Sequence, residues 1–140
     1  MKIAPKNFKY GRVFRFKIKS NSLANYLLNI WFYEFGVKAL TSGKIKVNHI
    51  NAISRYLKRK FKKELKTRFN IALVTPVTAK PDESRMGKGK GQRSHWEYSV
   101  KRGSVLLEVG GFVDKDKLQA SLVGLKEKLP VVTKIIKVIY

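Results

Sequence analysis

The residues best suited to chemistry are Arg85-Met86-Gly87-Lys88-Gly89-Lys90-Gly91, where three glycines alternate with two lysines behind an arginine. Glycine carries no Cβ and tolerates φ > 0, so successive backbone N–H groups in such a loop can turn into one anion-binding concavity. Arg85, Lys88 and Lys90 add charge there, with Lys80 and Arg93 on either side. The chemistry implied is phosphate binding of a general kind. A nucleoside-triphosphate loop needs Ser or Thr after Gly-Lys, and here Gly91 follows Lys90; a dinucleotide fingerprint needs a third glycine three positions after the second, at the opening of a helix. Met86 is the apolar exception, suited to packing or to wedging against a base.

The whole chain is built for a polyanion. Its 140 residues carry 31 Lys and Arg against 9 Asp and Glu, a formal charge of +22. Nucleic acid and acidic membranes both answer that charge, and its distribution separates them. Lys2, Lys6, Lys9, Arg12, Arg15, Lys17 and Lys19 precede the first acid, Glu34, and alternate with Phe8, Tyr10, Phe14 and Phe16. Cations mixed with aromatics suit RNA, where phosphates are neutralised and exposed bases stacked. Hydrophobic residues make up 44% of the chain, enough for a core. Without cysteine there is no disulfide or thiolate metal site, and His49 and His95 are far apart, so no metal or other cofactor is expected. Asp82 and Glu83 are adjacent acids beside Pro81, a solvated arrangement rather than a catalytic one, and His95 beside Trp96 suits packing or stacking. No enzyme activity is expected.

These residues need elements to hold them. Alternation from Val13 to Lys19 predicts a half-buried strand after a basic arm. That acid-free arm has the composition of a mitochondrial presequence, yet Pro5 and the alternation fit an extended arm better. Residues 23–33 are ambiguous: Leu23, Tyr26, Leu27 and Ile30 fit a helical face, and Ile30 to Tyr33 suits a strand. A strand over 35–40 and a turn over 41–43 follow. Residues 48–66 predict a helix capped by Asn48, with Ile50, Ile53, Leu57, Phe61 and Leu65 on one face. Its other face carries Arg55, Lys58, Arg59, Lys62, Lys63 and Lys66, offset only by Glu64. Residues 69–75 predict a strand, 76–92 a long connection holding the glycine loop, and 94–101 and 105–109 two strands joined at Gly103. A second helix over 114–128, capped by Asp114 and stopped by Pro130, and a strand over 131–140 complete the chain.

Several of these segments together resemble one family. Phe35-Gly36-Val37-Lys38-Ala39, the basic helix after Gly43-Lys44-Ile45, Val74-Thr75-Pro76, and Lys80-Pro81 followed by Arg85 to Gly91 are similar to the bacterial-type large-subunit ribosomal protein L-sixteen family. Trp96-Glu97-Tyr98, Val105 to Gly111 and the Leu129-Pro130 junction extend the resemblance, which covers residues 35–140. It implies an α/β hammerhead-like fold bound to large-subunit rRNA near the A-site tRNA, with the loop reaching towards the peptidyl-transferase region. It also places Arg85 where some bacterial members are hydroxylated. Residues 13–32 are longer and more hydrophobic than the family's usual N-terminus. Lys46 stands where a capping Thr or Ser is usual, and Ser94 and His95 lengthen the step after the loop.

The expectation is therefore a single-domain α+β protein: a mixed sheet with two packed helices, a basic N-terminal extension over 1–33 and the ribosomal-protein domain over 34–140. Lys6, Lys9, Arg12, Arg15, Lys38, Arg55, Lys58, Arg59, Lys62, Lys63 and Arg93 are expected to bind rRNA. Arg85, Met86, Gly87, Lys88, Gly89, Lys90 and Gly91 are expected to face A-site tRNA. Neighbouring ribosomal proteins are expected partners, and neither a membrane nor a second copy of the chain is. The excess of lysine over arginine, with abundant Ile, Asn, Phe and Tyr, points to an AT-biased genome and a mitochondrial ribosome rather than a bacterial cytoplasm or a plastid. The competing reading is a peripheral membrane protein that inserts Leu23 to Tyr33 beside its basic surface.

Overall fold

The computed structural model describes residues 13–15, 18, 23–24, 29–72 and 74–138. Its elements are β1 (Phe35–Ala39), β2 (Gly43–Lys46), α1 (Val47–Phe61), β3 (Leu65–Phe69), β4 (Thr75–Ala79), β5 (Gln92–Val100), β6 (Val105–Gly111), α2 (Lys115–Val123), a 3-10 turn (Lys126–Lys128) and β7 (Thr133–Lys137). The fold is α+β, as expected, but the strands form two sheets, ordered β3-β6-β1-β7 and β2-β5-β4. Every pair within them is antiparallel.

Helix α1 joins the sheets. Ile50, Ile53, Leu57 and Phe61 recur at the spacing that makes one helical face, and all four are buried in the core cluster with residues of both sheets. The helix ends at Phe61, short of the expected Lys66: Lys62 turns to φ 48 and its N–H donates to the Lys58 carbonyl at 3.0 Å. Leu65 then starts β3 instead of completing the helical stripe. Nor is Asn48 the cap. The Lys46 N–H donates to His49 Nδ1 at 3.1 Å, so the imidazole closes the first turn. Burial, followed by the nearby Lys46 charge, lowers the His49 pKa and favours the neutral ring that can accept this bond.

β6 is buried along Val105–Gly110, because both faces of its sheet are covered. One face packs under α1. Over the other lies the stretch 30–33, seated by two glycines. A Cβ on Gly36 would come within 2.8 Å of the Ile30 side chain, and one on Gly110 within 2.9 Å of the Tyr33 ring. Glu108, 0% exposed, fastens this cover by accepting from the Trp31 and Phe32 N–H groups at 3.2 and 2.8 Å and from the Asn70 amide at 2.6 Å. The end of the apolar segment is thus a lid on the sheet, neither strand nor helix.

Other expected boundaries shift for identifiable reasons. The strand placed over 69–75 is two strands, β3 and β4, flanking residues 70–74. Pro76 belongs to β4 because β4 is an edge strand, where a missing N–H costs no ladder bond. The long connection therefore starts at residue 80. β2 has no counterpart among the expected elements, since its four residues show too little alternation. Among the described residues of 13–19, none lies in a strand; Leu23 makes an isolated parallel bridge with Arg102, in the turn between β5 and β6. Asp114 does cap α2, accepting from the Asp116 N–H at 3.2 Å. That helix stops at Val123, where Tyr56 packs so closely on Gly124 that a Cβ there would lie 2.8 Å from its hydroxyl, and the chain tightens into the 3-10 turn.

Candidate nucleic-acid interface

The glycine loop projects from β4 and β5, which pair Ala79 with Gln92 at its base. Gly91 makes that narrow base possible: a Cβ there would lie 2.3 Å from the Ala79 carbonyl oxygen, and backbone cannot yield. Gly87 and Gly89 have a different role. Nothing lies within 4 Å of where their Cβ atoms would be, yet Gly87, Lys88 and Gly89 take φ of 90, 56 and 80. Three successive left-handed residues curl the tip around a concavity of about 310 Å³, lined by Lys80, Ser84, Arg85 and residues 87–91. Among the described residues, no backbone N–H from Arg85 to Lys90 donates to another protein group. These are donors available to an anion.

The loop's cations divide into two kinds. Lys80 donates to the Gly87 carbonyl across the loop. Lys90 donates to the Val13 carbonyl at 2.7 Å and lies 5.7 Å from the centre of the Phe14 ring. Both therefore shape the loop. Arg85 and Lys88 have no partner among the described residues and point their charge to solvent, while Met86 at the tip is 100% exposed.

The expected rRNA-binding residues separate in the same way. Arg55, Lys58, Arg59, Lys62 and Lys63 are all exposed along and just beyond α1, and none meets a carboxylate among the described residues. Like charges at this density repel unless an anion lies against them. Arg93 is exposed and covers the buried Trp96 with its guanidinium 5.0 Å from the ring. Lys38 is half-buried on β1. Arg15 is committed internally: one guanidinium nitrogen reaches both oxygens of Glu97 at 3.0 Å. Lys6, Lys9 and Arg12 lie outside the described residues.

Glu97 was not singled out by sequence reasoning, and it is the charge centre of this side of the molecule. Its side chain is 2% exposed, with His95 Nε2 at 3.1 Å from Oε1 and Lys44 Nζ at 4.0 Å from Oε2 besides Arg15. Burial alone would raise its pKa. The hydrogen bonds from His95 and Arg15 and the charges of Arg15 and Lys44 outweigh that and hold it below its ordinary value. A signal was present: in a chain with so few acids, Glu97 and Glu108 stand between apolar neighbours in strands, where an unpaired acid is costly. Among the described residues no cluster of His, Cys, Asp or Glu could hold a metal, and no helix is long and apolar enough to cross a membrane.

The sequence pattern of the family described as "Ribosomal protein L16p/L10e" matches residues 5–136, which takes in most of the N-terminal extension as well as the segments from Phe35 onward. The chain is 36% identical over 135 residues to "Large ribosomal subunit protein uL16" of Hyphomonas neptunium and 34% identical over 135 residues to that of Allorhizobium ampelinum. It is 41% identical over 138 residues to the protein of the same name from Karelsulcia muelleri. In each case the similarity covers 96% of both chains. A family pattern matched over nearly the full length and relatives 34% to 41% identical over 96% of both chains lead to one conclusion: the chain belongs to the ribosomal protein L16p/L10e family.

Proposed function

We propose that the protein is a structural constituent of the large ribosomal subunit, anchored in rRNA by the exposed face of α1 and presenting the glycine loop to the A-site tRNA near the peptidyl-transferase centre. The observation that carries this reading is the division of the loop's cations. Lys80 and Lys90 hold the loop's shape, leaving Arg85, Lys88 and a run of N–H groups without partners among the described residues for a phosphate backbone. Binding of this kind positions RNA and catalyses nothing. Arg55, Lys58, Arg59, Lys62 and Lys63 supply the anchor, each neutralised phosphate adding roughly 0.7 to 0.9 to the slope of log affinity against log salt. Arg15 acts here as a brace within the protein. A lysine-rich composition favours a mitochondrial ribosome, although the relatives named above are of bacterial type.

The membrane reading has less support. Ile30 and Tyr33 cover the sheet, Glu108 holds the backbone between them, and the Arg68 guanidinium lies 3.5 Å from the centre of the Phe32 ring. Large subunits reconstituted with Arg85→Ala/Lys88→Ala protein test the proposal. They should assemble normally and accommodate aminoacyl-tRNA poorly; normal accommodation would remove the tRNA role, and release of the protein from subunits by detergent would revive the membrane reading.

A further inference from the structure

Residues 13–15 are tied to the glycine loop at one end and to β5 at the other, by contacts that no regular element requires. At one end of residues 13–15, the Lys90 ammonium donates to the Val13 carbonyl and lies against the Phe14 ring. At the other end, Arg15 reaches both oxygens of a buried carboxylate on β5, which Lys44 from β2 and His95 also approach. We propose that residues 13–15 are a strut running from Glu97 to Lys90, and that Glu97 is a positioning residue that holds the glycine loop in place without touching any ligand.

The physical case rests on where rigidity is available. Residues 81–90 are exposed and pack on nothing in the core; among the described residues the loop's other restraints are its stem, closed by Gly91, and the Lys80 bond to the Gly87 carbonyl, neither of which ties the tip to the sheets. Arg15 is half-exposed, but its partner is fixed in a sheet and nearly inaccessible. The charge-assisted contact of one guanidinium nitrogen with both oxygens of a buried carboxylate tethers Arg15 and with it the backbone two residues away, from which Lys90 takes its position. Phe14, although 84% exposed, supplies the second contact at the same point, with the Lys90 ammonium 5.7 Å from its ring centre. The strut thereby sets the approach of Arg85 and Lys88 to an anion.

This inference rests on the tRNA-facing reading of the loop, and its test is made on the free full-length protein. The chain has no cysteine, so spin labels can be placed uniquely at Met86→Cys and Lys134→Cys to report loop against sheet, and at Asn51→Cys and Lys134→Cys to report helix against sheet. Pulsed-EPR distance distributions should broaden about twofold for the first pair in Glu97→Gln and in Lys90→Met. The double substitution should broaden it no further, and Lys90→Arg should keep it narrow. The second pair should not change. If Glu97→Gln also broadens the second pair, Arg15→Gln decides: its side chain is outside the core, and broadening of the loop pair alone supports the strut. An unchanged loop distribution in Glu97→Gln or in Arg15→Gln, with the fold intact, overturns it. A broadened loop combined with undiminished tRNA accommodation in reconstituted subunits would leave the strut standing and remove the tRNA reading.

Discussion

Replacing Glu108 with alanine should unfasten the lid over the four-stranded sheet. The carboxylate accepts three hydrogen bonds, from the N–H groups of Trp31 and Phe32 and from the Asn70 amide. Bonds to a charged acceptor contribute about 1.5 to 3 kcal/mol each, so three give a gross loss near 6 kcal/mol. Removing the carboxylate also removes the several kcal/mol needed to keep a charge out of water, and the freed N–H groups of the half-exposed lid recover some hydration. The net expectation is a loss of about 3 kcal/mol, or a Tm drop of roughly 12 °C for a chain of this length. Thermal unfolding followed by circular dichroism measures it, and hydrogen exchange locates it: protection should fall at Trp31 and Phe32 while β6 keeps its own. Glu108→Gln should lose about half as much, because one amide oxygen can still accept both backbone bonds. A Tm within about 2 °C of the parent for Glu108→Ala, or unchanged exchange at residues 31 and 32, would refute the account of the lid.

The remaining predictions concern the site and its supports. Glu97 has a folded pKa below its unfolded one, so its contribution is complete above about pH 4.5 and is lost as pH falls through the folded value; the stability gap between parent and Glu97→Gln should close on acidification, as urea titrations at several pH values would show. His49 follows the same sign, because its lowered pKa makes the unfolded chain the better proton binder below about 6.5, so stability should decline on acidification below that point and the decline should flatten in His49→Gln. Gly91→Ala should disturb the stem of the loop, where its methyl would meet the Ala79 carbonyl, and cost more in Tm than Gly87→Ala, whose methyl meets nothing and whose cost of about 1 to 2 kcal/mol is backbone strain alone. Neutralising Lys58, Arg59 and Lys62 together should lower the salt slope of rRNA binding by roughly 2 to 3 in filter-binding titrations, with little change in Tm.

How far the sequence could be read depended on the range of the interactions. The stripe Ile50, Ile53, Leu57 and Phe61 was legible because its spacing repeats within one element, and so were Asp114 as a cap and the Gly103 turn. The end of α1 was not, because Leu65 keeps the helical spacing and only pairing of β3 with β6 draws it into a strand. The loop's phosphate-binding character lay in its glycines and cations. Which cations are free did not, since Lys90 bonds a carbonyl 77 residues away and Arg15 a carboxylate 82 residues away. The need for glycine at positions 36 and 110 was not legible either, since it comes from the Ile30 and Tyr33 side chains packed against them.

The central claim is that Arg85 and Lys88 are the loop's outward cations while Lys90 holds the loop to the N-terminal segment. A cryo-EM reconstruction of the ribosome containing this protein, with aminoacyl-tRNA in the A site, tests it most directly. The account predicts the Arg85 and Lys88 side chains within hydrogen-bonding distance of tRNA phosphates and Lys90 still on the Val13 carbonyl. A loop folded into rRNA away from the tRNA, or Lys90 released to a phosphate with residues 13–15 elsewhere, would contradict it.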